Sequence, residues 1–506
     1  IKRGIKEAKL LSEYDNLSSA AYLRAKSDYL MGINFSRILS LKYGRTIMDY
    51  LNNGKWSAVS VGRVMTCVLG MVVKREREIR DFVKTPFYRV IGKFGYEGQN
   101  FDGEWRAVKG SKYFESHLLY KENGFNNKED AAKLIEELKI IPPSVKAVVC
   151  KAEKKKEKKN PPLLFNLAEL QNTCSKLFKI SPDETLKIVQ ELYEKKLVTY
   201  PRTDSQYLSN DMEGTAKNVI EAIFNSLLFE QNIMFNPDIK RILNSKKVTD
   251  HHAIIPTMEI IKQDLKAIPE SEMKILSLCA NRLLCATGEK HIYNSTKAEL
   301  TCNDTVFKVS GKEVWKNGWK EFEDFFKSSY KTTEDKSDTE EEKKLPELRE
   351  GMTIAVEQTR VSEHFTQPPK HYTEDSLLSA MERAGNEDMT DDVERKGLGT
   401  PATRADIIEK LVKDGFVKRE KKQIIPTEDG MKLITILPDV VKSPKLTADW
   451  ENELTLVSKG EVAAEQFMSG IEAMVTDLVK TYHSVSDEHK AMFGTGKGGQ
   501  EVLGKC

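Results

Sequence analysis

Leu197-Val198-Thr199-Tyr200-Pro201-Arg202-Thr203-Asp204-Ser205 sets a tyrosine and an arginine close together in a turn. Strand-like alternation places a side chain on the same side as its second neighbour, so Tyr200 and Arg202 face one ligand together. A phenol, with an ordinary pKa of about 10, is a weak nucleophile at neutral pH. A guanidinium beside it favours the phenolate and also grips phosphate oxygens, so the pair suits a phosphodiester. Taken alone, a Tyr-Pro-Arg turn is more often packing plus a surface charge.

Upstream, Ser181-Pro182-Asp183-Glu184 has the pattern of a capping box with proline at the first helical position. It opens a helix over 185–195 that delivers Tyr200. Downstream, Val248-Thr249-Asp250-His251-His252-Ala253-Ile254-Ile255-Pro256-Thr257 interrupts a helical pattern. His251 is a candidate partner for the scissile phosphate or its proton, because phosphoryl transfer through a phenol needs one. His252 reads as structural.

A third signal is Lys396-Gly397-Leu398-Gly399-Thr400-Pro401-Ala402-Thr403-Arg404-Ala405. Glycines, the hydroxyls of Thr400 and Thr403, and Arg404 at a helix start together offer N–H groups and a positive dipole end to a phosphate. The spacing is not that of a Walker loop, so nucleotide hydrolysis has no support. In the segment 55–64, Ser60 is a helix cap, Gly62 allows close backbone approach to a phosphate, and Arg63 supplies charge. Asp391-Asp392 is a weak candidate for the carboxylate cluster that metal-assisted nucleotidyl transfer requires. Two tyrosine-based classes are excluded by pattern. A rolling-circle relaxase needs two histidines flanking an apolar residue, and a tyrosine recombinase needs an Arg…His-x-x-Arg set before its tyrosine.

The 506 residues allow about three or four domains at roughly 100 to 200 residues each. With 39% hydrophobic and 31% charged residues, the composition is that of a globular protein with a heavily charged surface. There is no apolar run approaching ~18 residues and no basic-then-apolar start, so neither a membrane span nor a signal peptide is indicated, and a cytoplasmic address is expected. The seven cysteines are scattered without CxxC spacing and read as reduced thiols. A net charge of +2 conceals a lysine run over 151–159 and an acidic run over 334–342, so a basic groove is partly hidden in the average.

The pattern alternates along the chain. Helical periodicity fills the first 84 residues, with a second helix over 65–82, and strands follow at 87–92 and 144–149. Helical patterns then return to about Gly288, strands to about 357, and helices to 483. The helical block therefore reads as inserted into a β domain. The chain opens without methionine and closes on a glycine-rich run and Cys506, which suggests a fragment whose cysteine is the first ligand of an absent zinc ribbon.

With these pieces in order, the sequence resembles the type IA DNA topoisomerases, and within them the topoisomerase III branch. Residues 200–205, 250–257 and 397–405 are similar to the family's tyrosine, histidine and Gly-x-Gly-Thr-Pro-Ala-Thr-Arg segments. Residues 60–66, 165–171 (Phe-Asn-Leu-Ala-Glu-Leu-Gln) and 368–373 (Pro-Pro-Lys-His-Tyr-Thr) also match. The resemblance implies a multidomain α+β toroidal body. A helical DNA-binding domain spans 1–84 and 361–485, and a β arch spans 85–160 and 289–360. An inserted helical domain over 161–288 carries the tyrosine, and 486–506 is a linker toward a zinc-ribbon-like region.

The resemblance further implies an ATP-independent strand-passing isomerase whose Tyr200 forms a transient 5′-phosphotyrosine. Arg202 would hold the scissile phosphate, His251 would contact the phosphate network, and Thr203 and Asp204 would support the turn. Arg37, Arg63 and Arg404 would bind the strand backbone. Single-stranded and negatively supercoiled DNA are the implied partners, a helicase is a further candidate, and a monomer is expected. The alternative is a non-catalytic single-strand-binding scaffold on the same fold. Met65 and Cys67 stand where the family has glutamine and proline, which removes a DNA-contacting amide. The family's TOPRIM domain and its acidic Mg²⁺ site are expected to be missing before Ile1, so Tyr200 alone is expected to cleave poorly and this chain supplies no metal ligands.

Overall fold

The computed structural model describes residues 5, 6, 8–51, 61–138, 145–226, 228, 229, 235–248, 250–330, 344–390, 393, 397–401, 403–481 and 492, without the side chains of 42–51 and 481. Ser60, Lys396, Ala402, the acidic run over 334–342, Asp391-Asp392, the glycine-rich run and Cys506 lie outside the described residues.

Strands β1 (Pro86–Tyr96), β2 (Gln99–Arg106), β3 (Leu119–Lys121), β4 (Gly124–Phe125), β5 (Lys146–Lys159), β6 (His291–Cys302), β7 (Thr305–Lys316) and β8 (Thr353–Phe365) form one sheet. Its order is β2-β7-β6-β5-β8-β1-β4-β3, and β2 also pairs with β1. Six strands therefore close on themselves, which removes the exposed edges an open sheet would present. The interior is filled by Val90, Phe94, Trp105, Val149, Leu300, Phe307 and Val356, all at most 1% exposed. Gly103 is required there, because a Cβ would lie 2.7 Å from the Phe94 ring. Residues 96–98 form the turn of the β1–β2 hairpin, with Glu97 and Gly98 at φ 48° and 79°.

The strand expected over 144–149 runs much further. The whole lysine run lies in β5, paired antiparallel with β6 from Lys159↔His291 through Ala152↔Ala298. Apolar alternation ends at Val149 because beyond it the strand leaves the packed interior. Backbone pairing alone carries it on, and lysines are tolerated where the side chains are solvated.

Between β5 and β6 the chain builds an apolar helical core from the helices Leu167–Phe178, Pro182–Glu194, Glu213–Phe224 and Glu270–Thr287. Ser181 caps the second of these as its sequence predicts, its side chain accepting from Glu184 N–H at 3.2 Å. The helix Lys320–Tyr330, which follows β7, sends Phe322 and Phe326 into this same core.

A separate apolar core joins the first and last parts of the chain. It packs the helices Asp15–Leu51 and Arg63–Arg80 against Pro444–Lys459 and Ala464–Thr481, with the small sheet β9 (Tyr372–Thr373), β10 (Val417–Glu420) and β11 (Gln423–Pro426) beside them. Four charges sit in it. Glu451, 4% exposed, accepts from Arg24 Nη2 at 2.8 Å and lies 3.8 Å from Arg63, whose Nε donates to Asp28 at 2.7 Å over the Trp450 ring. The passage from β8 back into this core is anchored by the 368–373 segment. Arg75 donates to Lys370 O at 2.7 Å and covers the Tyr372 ring at 4.2 Å, and His371 meets Glu76 at 2.8 Å.

Removing one member of a buried ion network strands its partners, so Glu451→Ala is expected to destabilise this core by about 3–5 kcal/mol in denaturant titration. The exposed Lys187–Asp183 pair should contribute less than about 1 kcal/mol. Burial pushes the Glu76 carboxyl up, but Arg80 and His371 outweigh it and hold the group below its ordinary 4.5. A depressed carboxylate stabilises above its unfolded pKa and loses that contribution as pH falls through the folded value. Glu76→Gln should therefore lower stability at neutral pH and flatten the acid limb of a stability–pH profile measured by thermal unfolding.

Candidate active site

Tyr200 follows the helix Pro182–Glu194 and enters a segment tied on both sides to distant chain. Thr199 N–H donates to Ile255 O at 3.0 Å, and Thr257 N–H donates to Leu197 O at 3.0 Å. The Thr199 hydroxyl donates to Ala253 O and accepts from Ile255 N–H, each at 3.0 Å. Buried Thr203 donates through Oγ1 to His251 O at 2.8 Å and accepts there from Ser205 N–H at 3.1 Å. The tyrosine and histidine segments are thus one unit.

The third member of this unit is the start of the helix Leu167–Phe178. Leu167 N–H donates to Thr203 O at 3.1 Å, and Ile254 N–H donates to Phe165 O at 2.8 Å. Asn166 caps that helix by accepting from Glu169 N–H, and its Nδ2 donates to Asp204 O at 3.1 Å. One side chain therefore starts a helix and fixes the turn.

Within this frame the Tyr200 ring lies 4.4 Å from the His251 ring, tilted by 49°, and meets Tyr193 edge-on at 5.3 Å. Tyr200 is half-buried, while Arg202 and His251 are exposed. Among the described residues, neither the Tyr200 hydroxyl nor the Arg202 guanidinium has a hydrogen-bond partner or an ion pair. His252 differs, since its Nδ1 lies 2.9 Å from Ala253 O in a structural contact. The phenol, guanidinium and imidazole of Tyr200, Arg202 and His251 are thus held by their backbones and open at their reactive ends.

Gly397–Arg404 approaches from the other helical core. Gly397 has φ +82°, and a Cβ there would lie 2.4 Å from Glu382 O, so its glycine serves backbone packing. Thr403 Oγ1 lies 3.0 Å from Thr400 Oγ1 and accepts from Thr400 N–H at 3.0 Å, so the two hydroxyls organise the helix entry. Arg404 is 4% exposed and donates from Nε to Leu398 O at 3.2 Å. Burial pushes its guanidinium below the ordinary range, opposed by Glu382 and by Asp204 of the tyrosine turn. The structure thereby sets Arg404 electrostatically against Asp204.

Arg63 and Arg37 are not gathered with these groups. Arg63 is buried in the ion network described above, and Arg37 is exposed on the helix Asp15–Leu51. Gly62 precedes Arg63 with extended backbone, and nothing lies within 4 Å of where its Cβ would be. Two residues escaped sequence reasoning. Asn166 had a visible signal in the Asn-x-x-Glu cap pattern, whereas the edge-on contact of Tyr193 has none, because it arises from the way its helix turns into the 197–205 segment.

The fold is thus a closed antiparallel sheet split by an inserted helical core, with Tyr200, Arg202 and His251 at one cross-bonded turn. The chain belongs to the DNA topoisomerase family, whose model matches residues 12–469, and it is of the type IA, topoisomerase III-like kind. It is 32% identical to DNA topoisomerase 3 of Bacillus subtilis over 512 residues, covering 98% of this chain and 65% of that protein. It is likewise 32% identical to DNA topoisomerase 3 of Bacillus licheniformis, covering 97% of this chain and 64% of that protein. The chain thus spans slightly under two thirds of the length of these curated relatives. The structure of full-length topoisomerase I from Thermotoga maritima shares the fold, with a TM-score of 0.67 at 22% identity over 96% of this chain and 72% of that one.

Thr203→Val keeps the volume but leaves His251 O and Ser205 N–H without their partner. A loss of about 1–3 kcal/mol is expected in thermal unfolding of the tyrosine-bearing core, with Thr203→Ser close to the parent.

Proposed function

We propose that this chain carries the strand-cleaving tyrosine of an ATP-independent, single-strand-passing DNA topoisomerase. The observation that supports this reading most directly is the open reactive end of Tyr200 against His251 on a turn fixed by Thr199, Thr203 and Asn166. Tyr200 Oη attacks a phosphodiester, the P–O3′ bond breaks, and a 5′-phosphotyrosine forms with a free 3′-hydroxyl. Religation reverses the step, and the phosphotyrosine conserves the bond energy, so no nucleotide hydrolysis is required. Arg202 holds the phosphate oxygens in a bidentate grip, and His251 contacts the same phosphate or receives the phenol proton.

Thr203 and Asp204 act through the turn. Arg404 acts through its field on Asp204, while Arg37 and the open side of Gly62 contact the strand backbone. Thr400 and Thr403 organise the helix entry beside it. Arg63 is read here as the cation that fixes the strand-binding helices. Single-stranded stretches of negatively supercoiled DNA are the substrate, a helicase that exposes them is a suitable partner, and the domain boundaries are those given from the sequence except that the helix Lys320–Tyr330 goes with the tyrosine-bearing core.

Type IA topoisomerases generally use Mg²⁺. Among the described residues, no group of three or more His, Cys, Asp or Glu side chains could hold a metal ion, so the donors present do not fit it and no step is drawn through it.

In the full-length protein, Tyr200→Phe is expected to abolish denaturation-resistant protein–DNA adducts while single-strand binding is retained. Adducts that persist in the variant would exclude Tyr200 as the nucleophile. Binding should weaken steeply with salt, since phosphate contacts release counterions.

A further inference from the structure

A cleft of about 320 Å³ lies where the sheet meets the tyrosine-bearing core. Four cations line it, Lys158 at the end of β5, Arg241, Lys290 before β6, and Lys316 at the end of β7, together with the carboxylates of Asp238 and Glu289. Glu289 is paired with Lys316, so among the described residues that line the cleft Asp238 is the remaining counter-charge to Lys158, Lys290 and Arg241.

Arg241 gives the cleft a built wall. Its Nη2 donates to Pro161 O and fixes the guanidinium, while Nε is buried without a hydrogen-bond partner among the described residues. The residue is only half-buried, so the rest of the guanidinium is available to an anion in the cleft. A planar guanidinium flanked by lysines suits a phosphoryl group better than a single carboxylate. Beside the cleft, burial holds Lys320 below its ordinary range, with Lys312 and Lys159 adding to the effect and Glu323 and Asp324 opposing it.

We propose that this cleft is a phosphate-binding site distinct from the Tyr200 turn, taking a free phosphoanion such as pyrophosphate or a phosphodiester of a nucleic-acid strand. Either ligand would bridge strand ends of the sheet to the 236–241 segment of the helical core.

Amine-reactive labelling of Lys158 and Lys290, read by mass spectrometry, tests this with the protein alone, with inorganic pyrophosphate, and with a single-stranded oligodeoxynucleotide. Several-fold protection of both lysines is expected with at least one of the two ligands. Protection by pyrophosphate identifies a free phosphoanion as sufficient, and protection by the oligonucleotide alone identifies the strand backbone. Protection should disappear in Arg241→Gln and, at Lys158, in Lys290→Glu, and it should persist in Tyr200→Phe, which separates this site from the strand-cleaving reading. Lys290 is exposed, so Lys290→Glu decides the matter if Arg241→Gln fails to fold. No protection by either ligand, or equal protection in Lys290→Glu, overturns the proposal.

Discussion

The hydrogen bond from Thr203 Oγ1 to His251 O is the contact on which the site depends, because it joins two segments far apart in sequence. The same oxygen receives the Ser205 N–H, so one buried hydroxyl sets both the curl of the turn and its distance from the histidine backbone. A rigid frame of this kind leaves the backbone that carries Tyr200, Arg202 and His251 with little conformational entropy to lose. Asn166 extends the frame to a helix N-terminus, so the turn inherits the rigidity of a packed core rather than that of a surface loop.

Much of this was legible in the sequence, for identifiable reasons. The insertion of a helical block into a β domain followed from the alternation of periods, and the Ser181 cap followed from a local pattern that burial does not alter. The strand bearing the lysine run was not legible beyond Val149, since side-chain alternation reports burial and that part of β5 is held by its partner β6 instead. For the same reason, the helix Lys320–Tyr330 could not be assigned to a core from its position after β7. Only the placement of Phe322 and Phe326 decides it.

Charged residues were the hardest to read. The sequence marks Arg63 and Arg404 as cations near glycines, which is equally the signature of a phosphate contact and of a buried structural pair. Arg63 lies over Trp450 between Asp28 and Glu451, and Arg404 is enclosed beside Leu398 O. For Arg63 the distinction rests on Glu451 and Trp450, contributed by a helix hundreds of residues away, which no local window contains. Gly397 shows the same limit, because its requirement comes from the carbonyls at the end of the helix Glu374–Arg383.

The two helical cores remain separate apolar clusters, and polar contacts join them. Asn172 Nδ2 donates to Ser379 Oγ at 2.8 Å, and Lys176 lies 3.6 Å from Asp375. The tyrosine-bearing core is, by contrast, continuous with the ends of β5, β6 and β7, which meet at one end of a closed sheet. Water can replace polar contacts at little net cost, whereas it cannot replace a covalent ribbon of paired strands. The seam between the cores is thus the compliant direction of the molecule and the ribbon the stiff one, so a load on the tyrosine core would peel it from its helical neighbour and flex the strands without unzipping them.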